Sequence, residues 1–370
     1  MVAAVPQHPP ALVVIAPAER EVSFGRIAGR VQRGRWAVVV RAAGRTVAVR
    51  EIRGASFDFT VSLPRGETSV RVAVAGAHAR YASVVVPHVF GLPRSASPRQ
   101  AASASQADGA LGARLGALAR SFPGTSAVYV RDLVTGRGAA WNARARFPAA
   151  STLKLAIAIT ALRAQAGKPG AGTYLDRLLR QMLIWSDNGA ANEVEATFGG
   201  AYHVDELLRG LGLVDTWMGG GYASYRVTAG RTPIPIRVDQ QPAFGCCKYV
   251  SAFDLARLFT YVHLAAAARG PLFARYGREV TPSDARYLLY LLAHVPDRGK
   301  LGRFLAGGPY TLLHKAGWIS AARNDAGLVY WPGGVFVAAV MTWGNGVGTP
   351  SDVLAGKVAD AALRRLRHIR

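Results

Sequence analysis

Apolar and polar residues alternate with a period of two from about residue 11 to residue 89, the pattern of strands with one buried face. Residues 36–41 and 45–50 flank Ala42-Ala43-Gly44 and read as a hairpin. Phe57, Phe59, Val61 and Leu63 share one face, Pro64-Arg65-Gly66 turns the chain, and Val70, Val72 and Val74 share the next. About seven short strands with frequent turns predict an all-β, immunoglobulin-like sandwich over residues 1–90. No catalytic cluster lies in it. Residues 91–106 lose the periodicity, are rich in Ser, Ala and Pro, and read as a linker.

From 107 to 370 the pattern changes. Residues 111–120 predict a helix, and 127–133 with 138–141 a hairpin across Thr135-Gly136. A mainly helical region runs to about Leu305, and strands follow at 311–319, 327–331 and 335–343. Ser351 and Asp352 cap a closing helix, whose Arg364, Arg365, Arg367 and Arg370 suit its negative end. Two strands, a helical insertion and three strands predict one α/β layer beside an all-α lobe.

One stretch breaks both patterns. Residues 147–159, FPAASTLKLAIAI, are apolar on every side of a helix, which marks a buried one. Ser151 and Lys154 stand out as polar exceptions one turn apart on the same face. Burial drives an amine toward its neutral form, and a neutral amine beside a hydroxyl is a base beside a nucleophile. Free N–H groups at the helix start favour developing negative charge. On this stretch alone, a helix cap with a snorkelling lysine is the better fit. Composition bears on the choice. The chain has 39 Arg and six Lys (154, 168, 248, 300, 315, 357), none of the lysines before Ser151. Arg keeps its proton in a protein and Lys can surrender it when buried, so Lys154 fits chemistry better than surface charge.

The length of 370 residues accommodates two domains. The net charge of +23 is spread along the chain, with 14 Arg against five acids in residues 1–106. Residues 107–370 carry 31 Lys and Arg against 17 acids. With no basic arm or block, a nucleic-acid role gains little support. An anionic cell wall or membrane surface is the partner such a charge would suit. Cys246 and Cys247 are neighbours, with Cα atoms ~3.8 Å apart, and read as two packed thiols or a strained vicinal bridge. The eight histidines show no metal-ligand spacing, and no cofactor is implied. No apolar run approaches the ~18 residues of a membrane span. Met1–Pro6 lacks the basic start of a signal peptide. The expectation is an extracellular or wall-associated protein if a signal segment precedes this chain, and a cytoplasmic one otherwise.

Two more polar clusters lie downstream. Ser186-Asp187-Asn188 interrupts an apolar helix, as caps do. His314-Lys315-Ala316-Gly317-Trp318 puts a second lysine in a strand, with the glycine of a close backbone approach two residues on. An edge strand guarded by lysine would look the same. Taken in order, the three clusters match S-x-x-K, S-D-N and K-T-G, the set of penicillin-binding proteins and class A β-lactamases. From about Asp108 to Arg370 the chain resembles the class A β-lactamase family of serine hydrolases. The resemblance implies the β-lactamase/transpeptidase-like fold, with an antiparallel five-stranded sheet flanked by helices.

It further implies that Ser151 is the acylated nucleophile and Lys154 its general base. Ser186 would relay a proton to the leaving nitrogen, helped by Lys315, and Asn188 would bind a substrate amide. The N–H groups of Ser151 and Trp318 would form the oxyanion hole, with Ala316 and Gly317 along the substrate. Two departures stand out. Ala316 replaces the threonine of K-T-G, leaving Ser320 and Arg323 as neighbouring replacements for its hydroxyl. The family's deacylating glutamate has no counterpart in residues 218–253, where Asp239 is the only carboxylate. Glu193 and Glu195 follow Ser186-Asp187-Asn188 too closely to correspond. The expected activity is β-lactam hydrolysis through an acyl-enzyme, with slow deacylation. The alternatives are a D,D-peptidase or esterase on cell-wall peptides and a non-catalytic wall-binding protein.

Overall fold

The computed structural model describes residues 11–76, 81–102, 104–222, 240–242, 244, 248–305, 307–344 and 351–368. Asp239, Cys246 and Cys247 lie outside the described residues. The chain forms two compact units, Met1–Ser95 and Ala96–Arg370.

The first unit is all-β: β1 (Leu12–Ala16), β2 (Glu21–Ser23), β3 (Arg26–Ala42), β4 (Arg45–Thr60), β5 (Gly66–Ala75) and β6 (Tyr81–Gly91). Period-two alternation does what it predicts, burying Val38, Val40, Val70, Val72 and Val74 in one core with Trp36 and Phe57. The indole N–H of Trp36 is satisfied by Gln32 O at 2.8 Å. Where the pattern predicts about seven short strands of a sandwich, six strands are found among the described residues. The described strands form a single six-stranded sheet, ordered β1-β3-β5-β6-β2, with β4 on β3. The reason lies in β3. It pairs with β1 near its start and with β5 near its end, and its ladder with β4 is broken between Arg30 and Gly34. A bulge there lets one long strand bend and serve both halves.

The second unit begins earlier than its periodicity suggests. Residues 96–105, expected as a free linker, are tied to the unit they precede. Ala102 N–H reaches Leu133 O at 2.8 Å, and the Arg269 guanidinium reaches Pro98 O and Arg99 O at 3.0 and 2.8 Å. Gln106–Ala107 then forms a short strand, β7. The chain continues through α1 (Gly109–Arg120), β8 (Thr125–Asp132), β9 (Arg137–Trp141) and β10 (Arg146–Pro148). Next come α2 (Lys154–Gln165), α3 (Tyr174–Ile184), α4 (Asn188–Thr197), α5 (Gly200–Gly210), β11 (Tyr249–Ser251) and α6 (Ala252–Ala265). It closes with α7 (Gly270–Tyr276), α8 (Pro282–Ala293), β12 (Thr311–Ile319), β13 (Ala322–Trp331), β14 (Gly334–Trp343) and α9 (Asp352–Arg367).

The main sheet runs β12-β13-β14-β8-β9-β7. The five antiparallel strands are present, and β7 adds a sixth, parallel to β9. Two residues escaped the period-two reading because two residues show no period. Phe336, Ala338 and Val340 of β14 pack with α1 and α9 in one core. The alternate residues Val337, Ala339 and Met341 are also buried, and α6 packs against β8, β13 and β14. Burial on both faces explains why β14 reads as a continuous apolar run.

Helix α2 is the axis of the α lobe, touching α3, α4, α5 and α8. Every residue from Lys154 to Leu162 is buried, as expected of a helix apolar all round. Its entry is a 3-10 turn, Ala150–Leu153, following the β10–β11 pair. Residues i and i+3 eclipse in a 3-10 turn, so Ser151 and Lys154 stand on one face.

Candidate active site

The Ala150–Leu153 turn, which carries Ser151, is held by backbone and side-chain groups together. Ala149 N–H donates to Lys248 O at 2.9 Å, and Ala149 O accepts from Thr152 N–H at 3.2 Å and Thr152 Oγ1 at 2.6 Å. Asn324 of β13 donates its amide to Pro148 O at 2.7 Å. Ala150 sits at φ +46°, in the left-handed region that costs an alanine ~1–3 kcal/mol. Ser186 also has a positive φ, +62°. Strain at both motifs persists because the surroundings over-determine it.

Strand β12 runs against this turn at Gly317. A Cβ there would lie 2.7 Å from Ser151 N, 2.9 Å from Thr152 N and 3.0 Å from Ala149 O, all backbone atoms. Only glycine permits this approach. It brings the N–H of Ser151 beside the strand one residue before Trp318. The Trp318 side chain is exposed, as is Trp185 next to Ser186.

Lys154 and Lys315 converge on Ser186. Lys154 is fully buried and donates to Ser186 O at 2.5 Å and Asn188 Oδ1 at 2.6 Å, with Ser186 Oγ at 3.5 Å. Lys315 Nζ lies 2.8 Å from Ser186 Oγ and 3.2 Å from Ala316 O. Burial first, and then the charge of Lys315, lower the Lys154 amine to about 7, with Asp187 opposing both. Burial lowers Lys315 less, to about 8, because Asp325 and Asp297 favour its charged form. One amine is therefore poised to accept a proton near neutrality and the other to remain a cation.

His314 is directed away from this work. Its Nδ1 pairs with Asp325 at 2.8 Å, both side chains fully buried. Arg323, a neighbouring substitute for the missing K-T-G hydroxyl, donates to Ile319 O and Ala322 O and lies over the Trp318 ring. Glu193 is exposed and accepts from Tyr174 OH at 2.9 Å. Glu195 is buried, and the cation it feels is Lys248.

Three participants escaped sequence reasoning: Tyr222, Lys248 and Asn192. The Tyr222 ring lies 4.8 Å from Lys154 Nζ and 4.7 Å from Lys248 Nζ. Its hydroxyl donates to Ala150 O at 2.9 Å, and its N–H donates to Asn192 Oδ1. Lys248 donates to Gly221 O at 2.7 Å, and burial lowers its amine. The scarcity of lysine that singled out Lys154 applied equally to Lys248. Tyr222, in a glycine-rich loop, carried no spacing to mark it.

A mixed sheet beside a helical lobe, with a half-buried serine one turn before a buried lysine, defines a β-lactamase/transpeptidase-like fold. The profile of the beta-lactamase enzyme family matches residues 110–169 and 163–366. The chain belongs to that family and is a serine hydrolase acting on amide bonds. Among solved structures it is similar to PBP-A, with 20% identity, a TM-score of 0.55, and coverage of 72% of this chain and 97% of that one. A mutant of PBP-A, solved as an acyl-enzyme complex with penicillin G, matches at 21% identity and a TM-score of 0.54, covering 72% of this chain and 100% of that one. The β-lactamase from Streptomyces albus G matches at 21% identity and a TM-score of 0.53, covering 69% of this chain and 99% of that one. These likenesses show the fold. No curated protein matches the chain.

Proposed function

We propose that this enzyme opens β-lactams by acylating Ser151. The observation that carries the reading is Ser186, held between the Lys154 amine and the Lys315 ammonium. In this mechanism neutral Lys154 takes the proton of Ser151 Oγ, and Oγ bonds to the lactam carbonyl carbon. The N–H groups of Ser151 and Trp318 stabilise the oxyanion. The ring C–N bond then breaks, and Ser186 passes a proton to the departing nitrogen. Lys315 supports that transfer and attracts the substrate carboxylate. Asn188 uses its oxygen on Lys154, which leaves its NH₂ for a substrate carbonyl, and the Ala316–Gly317 backbone lies along the substrate.

The same machinery serves a penicillin-binding D,D-peptidase or esterase on cell-wall peptides, and Tyr222 against Lys154 favours that second reading. Either substrate places the enzyme at a cell wall, which the chain's basic character suits. Incubation with a labelled penicillin, followed by mass measurement and peptide mapping, tests the reading. A single adduct on the peptide containing Ser151 is expected. No adduct, or one elsewhere, contradicts it.

A further inference from the structure

One concave feature of the second unit takes no part in the chemistry at Ser151. A groove of about 760 Å³ opens between α1 and α9, with Phe304 in its wall. It lies across the main sheet from the nucleophile turn. Phe336, Ala338 and Val340 pack with α1 and α9 on one face of that sheet. Gly317, paired through Asn324 with Met341, belongs to the other face.

Helical spacing brings two kinds of residue to the groove. Leu111, Arg114 and Leu118 stand at i, i+3 and i+7 of α1, and Lys357, Ala361 and Arg364 at i, i+4 and i+7 of α9. Leu111, Leu118 and Ala361 continue the core beneath. Phe304 adds a ring that is 46% exposed. Gly356 of α9 admits it, because a Cβ there would meet Phe304 Cδ2 and Arg303 Cβ, each at 2.8 Å. The same lining carries four cations and one carboxylate. Arg364 donates to Asp360 at 2.9 Å, and Arg365 donates to Asp108 at 3.0 Å. Among the described residues, Arg114 and Lys357 form no ion pair. A helix dipole favours the cations in the last turn of α9. It gives no reason for Lys357 or Arg114, each in the second turn of its helix.

We propose that this groove binds a small anionic amphiphile of the fatty-acid class. Its carboxylate meets Arg114 and Lys357, and its chain lies along Leu111, Leu118, Ala361 and Phe304. The volume falls within the ~300–1,000 Å³ of small-ligand sites, which suits a single chain rather than a protein segment. The apolar floor calls for a tail, and the two unpaired cations call for an anion. Nothing in this assignment depends on Ser151 being acylated.

Calorimetric titration of the full chain with decanoate, below its micelle-forming concentration, tests the proposal. One molecule per chain is expected, with no binding of acetate. Affinity should rise by up to about fourfold for each methylene buried between octanoate and decanoate. Arg114→Glu combined with Lys357→Glu should weaken binding by about 10-fold or more, two exposed ion pairs being lost and two repulsions gained. Ala361→Phe, which fills the groove, should abolish it. Both variants should keep the native rate of reaction with penicillin, which shows that they are folded. Absence of decanoate binding overturns the proposal. So does decyltrimethylammonium binding as tightly as decanoate, or decanoate binding that survives both variants. Capture of the chain by phosphatidylglycerol vesicles without binding of free decanoate would also overturn it, making this face a membrane contact instead.

Discussion

The two units of this chain use positive charge in opposite ways. In the first, every cation is an arginine, and the pair Arg26–Asp58 is typical, with both side chains half exposed. In the second, the cations that meet at Ser186 are lysines, both buried, with amines lowered to about 7 and about 8. A guanidinium stays charged wherever it is placed, whereas an amine changes state when water is removed. At Ser186, where charge has to move, it is carried by Lys.

Substitutions break this comparison at its strongest point first. Lys154→Ala removes the base and should slow acylation of Ser151 by about 10²–10⁴-fold. Lys154→Arg keeps the charge and should be as inactive, since it cannot surrender a proton. Adduct formation measured by mass against time checks both, and an active Arg variant would end the argument from lysine chemistry. Gly317→Ala comes next. Its Cβ would meet the backbone of Ser151, Thr152 and Ala149, pushing β12 from the turn. Displacements of about 1 Å at a reacting centre cost up to about 100-fold, so a loss on the order of 10–100-fold in the acylation rate is expected, together with a lower melting temperature.

The boundary between the units is the next test. A chain starting at Ala96 keeps the bonds of residues 96–106 to Leu133, Gly136 and Arg269 and should acylate like the whole protein. One starting at Ala107 loses them. At roughly 0.5–1.5 kcal/mol for each hydrogen bond, it should be less stable in urea by a few kcal/mol. Equal stability of the two would restore the free linker. Arg26→Ala is the smallest effect. An exposed ion pair is worth about 0.2–1 kcal/mol, so denaturation should shift within that range and acylation not at all.

These contrasts follow how far each feature could be read from the chain. Ser151 and Lys154 were legible because a helix places i and i+3 together, and Lys315 with Gly317 because alternate strand residues share a face. The core strands of the first unit were legible from period-two runs, and β14 of the second from a continuous apolar one. The bend of β3 was not, because a bulge at residues 30–34 is decided by which strands find its two edges. The attachment of residues 96–107 was likewise invisible, since it uses the segment's own backbone groups, with partners such as Leu133 and Arg269 that are distant in sequence. Tyr222 is the clearest case. Its partner Ala150 lies 72 residues away, and no local spacing announces a contact that only the folded lobe creates.

The pH dependence of acylation tests the central claim most directly. Lys154 must be neutral to act, so the rate should rise as pH passes about 7. Lys315 must be charged to assist, so the rate should fall as pH passes about 8. Because the charge on Lys315 depresses Lys154, the two limbs belong to the pair and should shift together when either is changed. The account predicts a narrow bell with its maximum between those values, and loss of the falling limb in Lys315→Gln. A rate that climbs steadily to about 10, where an ordinary lysine titrates, would show that Lys154 is not the poised base this account requires.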